Sequence, residues 1–481
     1  MYSFGKNEQK TIGTAISPRD EDFSVRVLHG NRIEDNAVPT LTANRVNQPF
    51  AVFEDTKTKK RLGFSKRQLA RGTLLVGAPG EGKSNLMHML LTGLLRAQGE
   101  ADKIIIFDTK GDYLREHGWK IPKDQLYVIG TSSEYEDITK VWNMFSEILP
   151  KDAQGNYKYS KKCDKYAKEL AKTLFSDMQS ESQPIFPKMS EGLSKTIMIY
   201  LMRKYWKTNP EKLNNEEFAS FFRSKTNEEL KAILNEDIIK DYRGALDYIS
   251  NKSNQTQGVK SYIEAMVDDV FVDCFAMHDK AREFSMREII RSNKKAVVFI
   301  EYDLELGDTL GPIYKLLFDY AFKYALGGRD KNKGNTYFFI DEMAQIQKLT
   351  HLGDAMCFGR EITVDERTKE SQGVRVIAGL QSIGQLEEIY EEKGAQTKLA
   401  SFQTIISFRL SDFESREFVS KRFGANYQGL SYNVKNNHVN SERAGQSLEE
   451  WDIMNLERGQ AAIMMPNEKP FLFQFPKYES K

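Results

Sequence analysis

The chain has 481 residues, of which 40% are hydrophobic and 28% are charged. This composition is that of a folded globular chain, so it excludes wholesale disorder. Lys and Arg total 69 against 68 Asp and Glu, which gives a net charge of +1. A near-neutral total excludes a histone-like polycation but is compatible with nucleic-acid binding through a local patch.

The first fifty residues are polar and mixed, and they predict a separate N-terminal segment, 1–50, with one short alternating strand at Phe23 to Leu28. Residues 57–71 contain seven basic side chains and no acidic one. This run favours either a solvated linker or a patch that faces phosphates or lipid.

A strand, a loop and a helix are predicted next. Thr73 to Val76 is a continuous apolar strand, 77–82 is a glycine-rich loop, and Lys83 to Ala97 has the apolar face of an amphipathic helix. The longest uncharged stretches of the chain, for example Ser84 to Leu95, have twelve residues. A membrane-spanning helix needs about twenty, so we expect no membrane span.

A second apolar strand is predicted at Ile104 to Phe107. Strand patterns then disappear, and residues 155–292 read as helices, with capping patterns such as Thr226-x-x-Glu229. Apolar strands resume after this block, at Ala296 to Ile300, Tyr337 to Ile340, Val374 to Leu380, Thr404 to Phe408, Ala461 to Met465 and Phe471 to Phe475. Strands that alternate with helices predict a parallel sheet covered on both faces, an α/β fold. The predicted domains are therefore a nucleotide-binding domain, 51–154 with 293–481, and an inserted all-α domain, 155–292.

The loop carries the most specific motif of the chain. It matches G-x-x-x-x-G-K-[ST] with Gly77, Ala78, Pro79, Gly80, Glu81, Gly82, Lys83 and Ser84. Glycines let backbone N–H groups point at phosphate oxygens, Lys83 can reach the β- and γ-phosphates, and the Ser84 hydroxyl can bind Mg²⁺. A chance match in a chain this long is about one in fifty. We predict that this segment, extended to Asn85, binds ATP with Mg²⁺.

Two acids follow the strand Tyr337 to Ile340, and beside a phosphate-binding loop they predict the second half of a hydrolytic site. Asp341 would hold Mg²⁺ through water, and Glu342 would polarise the attacking water. The alternative is an ordinary strand-end cap. Gln381 follows another strand and is either a solvated loop residue or a sensor of the γ-phosphate. Arg360 is either a surface arginine or an arginine finger for a neighbouring subunit's ATP.

Several strings together make the chain resemble the coupling ATPases of type IV secretion and conjugation, the TraG/TrwB group, which are relatives of the FtsK and HerA DNA translocases. The resemblance covers most of residues 70–478 and rests on Gly77 to Ser84, Asp108-Thr109-Lys110-Gly111-Asp112, Trp142-Asn143, Ile340 to Ala344, Gly359-Arg360, and Gly379 to Leu386.

The resemblance implies a RecA-like P-loop ATPase that hydrolyses ATP with Mg²⁺ and assembles as a homo-hexamer, with Arg360 as the finger acting in trans and Gln381 as the sensor. It implies DNA as the cargo, usually a relaxase-bound single strand, or an effector protein, delivered to the channel of a type IV secretion system. The chain would act in the cytoplasm, or at the inner face of the bacterial membrane through a partner.

The chain also departs from this family, whose members usually begin with membrane-spanning helices. Thr109 stands where the family usually has proline, and the charged stretch 361–373 is longer than expected. Two other functions stay open. One is a double-strand DNA translocase of the HerA/FtsK kind, and the other is a nucleotide-dependent platform on which the helical insertion docks protein cargo.

Overall fold

The computed structural model describes residues 24–33, 48–152, 154–176, 178, 185–249, 253–327, 334–364, 371–434 and 437–480. Most of the predicted N-terminal segment 1–50 therefore lies outside the described residues, as does the middle of the charged stretch, 365–370.

The strands and helices of the described residues are numbered in chain order. The strands are β1 (Ser24–Gly30), β2 (Pro49–Glu54), β3 (Arg61–Ser65), β4 (Thr73–Val76), β5 (Lys103–Asp108), β6 (Leu126–Ile129), β7 (Val141–Trp142), β8 (Glu283–Phe284), β9 (Ala296–Glu301), β10 (Thr336–Ile340), β11 (Thr363–Val364), β12 (Ser371–Gln372), β13 (Val374–Leu380), β14 (Thr404–Ser407), β15 (Ala425–Val434), β16 (Asn437–Gln446), β17 (Gln460–Met464) and β18 (Phe471–Gln474). The α-helices are α1 (Lys83–Ala97), α2 (Asp112–His117), α3 (Met144–Ile148), α4 (Lys161–Leu174), α5 (Ile185–Tyr205), α6 (Asn215–Ser224), α7 (Asn227–Leu234), α8 (Ser253–Val270), α9 (Met286–Arg291), α10 (Gly307–Leu326), α11 (Leu352–Phe358), α12 (Ile383–Ala400), α13 (Phe413–Phe423) and α14 (Glu450–Met454).

The chain divides into two compact units, of which the first comprises residues 1–97 and 378–481. Four of its strands lie side by side in the order β18-β17-β14-β4. Strand β14 runs parallel to β4, whereas β17 and β18 are antiparallel, so the predicted parallel sheet is mixed on this side. Every residue of β4 and β14 is buried, as expected for strands covered on both faces.

The basic run 57–71 is not a linker. Its centre forms β3, which pairs with β2 in an antiparallel hairpin. Leu62 and Phe64 of β3 are buried, so two apolar residues between the basic side chains anchor the hairpin. A second antiparallel group, β1-β15-β16, also belongs to the first unit. Strands β15 and β16 were not predicted.

The second unit comprises residues 98–377. It contains the parallel strands β10-β5-β9-β6 in that order. Strands β5, β9 and β10 are buried along their whole length, and they were predicted from their apolar runs. Parallel neighbours bring the carboxyl ends of their strands to one edge, where side chains that follow the strands can meet.

The second unit also contains helices α4 to α9, which lie between β7 and β9 in the chain. Between residues 155 and 292 the described residues contain one strand, the two-residue β8, so the helical prediction is confirmed there. Thr226 and Glu229 form the predicted capping box at the start of α7. The predicted domain boundaries stay a prediction, because the compact units divide the chain at other positions. None of the described helices is long and apolar enough to cross a membrane.

Candidate functional site

The loop between β4 and α1 adopts a conformation that requires glycine. Gly80 and Gly82 have φ values of +81° and +125°, which L side chains rarely adopt. A Cβ on Gly82 would lie 3.1 Å from a ring carbon of Phe408 and 3.3 Å from the Cα of Gly459. A side chain at Gly82 would therefore strain the backbone and crowd the neighbouring segments.

Lys83 and Ser84 open helix α1, as predicted. Lys83 is only 8% exposed, and its ammonium group donates a hydrogen bond to the carbonyl of Gly77. Ser84 is exposed. The first turn of α1 contains no acidic residue, and the first turn of a helix leaves backbone N–H groups without intrahelical acceptors. This loop and helix start fit the phosphate groups of a nucleotide.

Two arginines that the sequence did not single out support the loop. The carbonyl of Arg409 accepts the N–H of Ala78 at 2.9 Å, and its guanidinium pairs with Glu81 at 2.5 Å. Arg458 donates from Nε to the carbonyl of Gly80 at 2.9 Å. Arg409 follows a predicted strand, so its position at a strand end was a usable signal. Arg458 lies in a turn with no recognisable pattern.

Asn85 binds the C-terminal tail through its side chain. Its amide nitrogen donates to the carbonyl of Pro476 at 2.9 Å, and its oxygen accepts the N–H of Tyr478 at 2.6 Å. The ring of Tyr478 stacks on His88 with 5.1 Å between ring centroids. Because the tail engages the amide of Asn85, a contribution of this residue to phosphate binding would come from its backbone N–H.

Gln381 follows β13 and is half-buried. The residue before it, Leu380, accepts the N–H of Gly77 at 3.2 Å, so the backbone leading to Gln381 contacts the start of the loop. The structure thus places the loop, Asn85 and Gln381 in the first unit. Asp341, Glu342 and Arg360 belong to the second.

Asp341 and Glu342 directly follow β10 and are 9% and 5% exposed. The Asp341 carboxylate accepts the hydroxyl of Thr109 at 2.6 Å and the hydroxyl of Tyr113 at 2.8 Å. Carboxylate oxygens are ligands that Mg²⁺ prefers, directly or through water. The chemistry of this strand end therefore fits the predicted metal-binding role.

Two further carboxylates end the strands β5 and β9 of the same sheet. Burial raises the pKa of Asp108, at the end of β5, to about 6, and the nearby charges of Asp341 and Asp112 add to this effect. Burial likewise raises the pKa of Glu301, at the end of β9, to about 7, with a further contribution from Asp108. No group of three or more metal-ligating side chains was found among the described residues.

Arg360 lies just after helix α11 and is half-buried. Its Nε donates to the carbonyl of Met356 at 3.0 Å, and its own carbonyl accepts Nη1 of the buried Arg375 at 2.9 Å. Both ends of the charged stretch 361–373 pair as the antiparallel strands β11 and β12. Arg360 is thus held in place at the base of this hairpin.

The sequence of this chain is similar to those of known proteins. Residues 58–473 match the family described as the type IV secretion-system coupling protein DNA-binding domain. The chain is 22% identical over 359 residues to the coupling protein TraD of Escherichia coli strain K12, a match that covers 73% of this chain and 43% of TraD. It is 30% identical over 129 residues to the probable conjugal transfer protein TraG of Sinorhizobium fredii, covering 26% of this chain and 18% of that protein. The chain thus spans less than half the length of these relatives.

Solved structures of the plasmid coupling protein TrwB have the same fold. The unbound form of TrwBΔN70 is 20% identical and superimposes with a TM-score of 0.70 over 95% of both chains. TrwB in complex with ADP and Mg²⁺ is 19% identical, with a TM-score of 0.68 over 95% of this chain and 96% of that one. The predicted fold, a RecA-like α/β domain with an all-α domain, is confirmed by this likeness. Since the family match extends over most of its length, the chain belongs to the type IV secretion-system coupling protein family.

Proposed function

We propose that this chain binds ATP with Mg²⁺ and uses its hydrolysis to move DNA into a type IV secretion or conjugation channel. The observation that carries the proposal is the loop of residues 77–82, whose positive-φ glycines lead into a helix that begins with a buried lysine. The relative TrwB has been solved in complex with ADP and Mg²⁺, and its fold is the fold of this chain.

Each predicted residue has a distinct part in the proposed reaction. The backbone N–H groups of the loop and of Ser84 and Asn85 would bind phosphate oxygens, and Lys83 would neutralise their charge. Ser84 and Asp341 would hold Mg²⁺, which neutralises the charge that develops on the phosphate oxygens during hydrolysis. Glu342 would orient the attacking water and accept its proton.

The proposed cargo is a single DNA strand bound to a relaxase, or an effector protein, with components of the secretion channel as further partners. The matched family is described as a DNA-binding domain, which supports DNA. Because the net charge of the chain is only +1, we propose that local basic surfaces contact DNA, rather than the charge of the whole molecule attracting it.

The test is the ATPase rate of the purified protein without DNA, with single-stranded DNA and with duplex DNA. We expect single-stranded DNA to raise the rate, and duplex DNA to raise it less. A stronger response to duplex DNA would favour the double-strand translocase instead. A robust rate that neither DNA changes would contradict the DNA motor and favour the cargo-docking platform.

We also propose that the active form is a homo-hexamer in which Arg360 acts on the ATP of the neighbouring subunit, while Gln381 senses the γ-phosphate. Two features of Arg360 suit this role. Its Nε donates to the carbonyl of Met356, which orients the side chain, and the residue is only half-buried, so part of it is accessible to another subunit. An arginine finger stabilises charge on the transferred phosphate and contributes about 10³- to 10⁵-fold to the rate.

Mixing two inactive variants tests action in trans. Arg360→Ala and Glu342→Gln should each hydrolyse ATP poorly as pure oligomers. In mixed oligomers some interfaces combine an intact Glu342 with an intact Arg360, so the mixture should regain part of the wild-type rate. Sedimentation with a non-hydrolysable ATP analogue and DNA would show whether the variants assemble. Failure of the assembled mixture to regain activity would contradict a finger in trans.

A further inference from the structure

Two hydroxyl groups from one short segment hold the Asp341 carboxylate, one on each oxygen. The hydroxyl of Thr109 donates to Oδ2 at 2.6 Å, and the hydroxyl of Tyr113 donates to Oδ1 at 2.8 Å. Thr109 is 6% exposed and Tyr113 is 2% exposed, so both bonds are shielded from water. We propose that Thr109 and Tyr113 are positioning residues that orient Asp341 for Mg²⁺, an inference that rests on the proposed function.

The sheet register explains why these groups meet. Strands β5 and β10 are parallel neighbours, and Phe107 pairs with Ile340. Asp341 is therefore level with Asp108, and Thr109 follows one residue later at the same edge of the sheet. Tyr113 returns to this edge from the first turn of α2. Both hydroxyls thus reach Asp341 from the segment that follows the adjacent strand.

The segment that carries the two hydroxyls is itself fixed. The Asp108 carboxylate accepts the N–H of Leu114 at 2.9 Å and the N–H of Lys110 at 3.4 Å. These two bonds fold the turn after β5 around the Asp108 side chain. Gly111 has a φ of +69°, a conformation that favours glycine, and it lets the chain turn into α2. The positions of Thr109 and Tyr113 are therefore set by backbone contacts and do not depend on Asp341 alone.

The geometry leaves room for a metal ligand on the same carboxylate. An ionised carboxylate offers about four lone-pair sites, and the two hydroxyls use one on each oxygen. The remaining sites can accept a metal-bound water or face the ion directly. Hydroxyl–carboxylate distances of 2.6 and 2.8 Å are close to those of charge-assisted hydrogen bonds. Partners of this kind orient metal-binding groups, and their loss typically weakens metal affinity about 10- to 100-fold.

Thr109 is also the position at which this chain departs from the proline usual in the family that it resembles. Proline has no hydroxyl and could not donate to Asp341. The threonine therefore adds a contact to the carboxylate that a proline at the same place would lack, and Tyr113 supplies the second contact from the following helix.

The test measures metal affinity separately from nucleotide affinity. Wild type, Thr109→Val and Tyr113→Phe are titrated with Mn²⁺ in the presence of ADP, with bound Mn²⁺ followed by electron paramagnetic resonance. ADP affinity is measured in EDTA. We expect each variant to bind Mn²⁺ about tenfold or more weakly than wild type, and to bind ADP in EDTA as wild type does. Thr109→Ser, which keeps the hydroxyl, should restore Mn²⁺ affinity.

Thr196→Val is the matched control, because Thr196 is also buried and its hydroxyl donates to the carbonyl of Gly192 at 2.8 Å, within α5. This control should bind Mn²⁺ like wild type. Unchanged Mn²⁺ affinity in both Thr109→Val and Tyr113→Phe would overturn the inference and leave the proposed function intact. A wild-type protein that binds neither ADP nor Mn²⁺–ADP would overturn the proposed function and this inference with it. Should Thr109→Val fail to fold by thermal melting, Tyr113→Phe decides the outcome.

Discussion

Replacing Lys83 with alanine is expected to lower the ATPase rate by at least about 10²- to 10³-fold, the usual cost of removing one preorganised group that stabilises developing charge. Lys83 is 8% exposed, and its ammonium group is turned onto the carbonyl of Gly77 inside the loop. Alanine keeps the helix start but removes this charge from the place where phosphates are expected. The measurement is the steady-state rate with saturating single-stranded DNA.

Lys421→Ala is the control for this experiment, because Lys421 is an exposed lysine of α13 that pairs with Glu417 within the same helix. This variant should hydrolyse ATP at the wild-type rate, since exposed pairs of this kind contribute little to stability. A Lys83→Ala protein that folds and still hydrolyses ATP at the wild-type rate would show that the loop is not the site of hydrolysis.

Replacing Glu342 with glutamine should separate nucleotide binding from hydrolysis. The substitution keeps the size of the side chain and removes its capacity to accept a proton, so we expect the rate to fall by about 10²- to 10⁴-fold, the usual contribution of a general base. Nucleotide affinity should stay close to that of wild type, because the proposed phosphate contacts come from other residues. A fluorescent ATP analogue measures binding, and phosphate release measures turnover.

Glu301→Gln makes the same chemical change at the end of β9, which is separated from β10 by β5 in the same sheet. Burial and nearby carboxylates raise the pKa of Glu301 to about 7, so a neutral amide resembles a form that this side chain already adopts near neutral pH. We expect Glu301→Gln to hydrolyse ATP at close to the wild-type rate. Equal losses in the two variants would indicate a general effect of removing a buried carboxylate, and would contradict a specific role for Glu342.

Much of the parallel core could be predicted because its strands are short, continuous apolar runs. Val374 to Leu380 was predicted with the same bounds that the structure shows, and the helix predicted to begin at Lys83 does begin there. Strands β15 and β16 were missed because their sequences are mostly polar and carry no such run. Strand β3 was missed because basic residues flank its two buried apolar side chains, Leu62 and Phe64.

The phosphate-binding motif was predictable because its chemistry is local, with glycines, lysine and serine in eight consecutive positions. The groups that contact the motif from elsewhere in the chain were harder to predict. Arg409, Arg458 and the tail at Tyr478 reach the loop and Asn85 from distant parts of the sequence. The position of Arg409 at a strand end was a usable signal, but no local pattern specifies the other two contacts. The hydroxyls of Thr109 and Tyr113 were missed for the same reason, although Thr109 had been noted as unusual.

The ion pair between Glu81 and Arg409 joins residues that are 328 positions apart in the chain. A ribosome that adds roughly 5–20 residues per second would need about 16 to 65 s to make the second partner after the first. Throughout that interval the glycine-rich loop of a nascent chain lacks Arg409, Arg458 and the C-terminal tail. The contacts of Arg409, Arg458 and Tyr478 with the loop and with Asn85 therefore form only after these residues have been synthesised, and a shorter nascent chain lacks them.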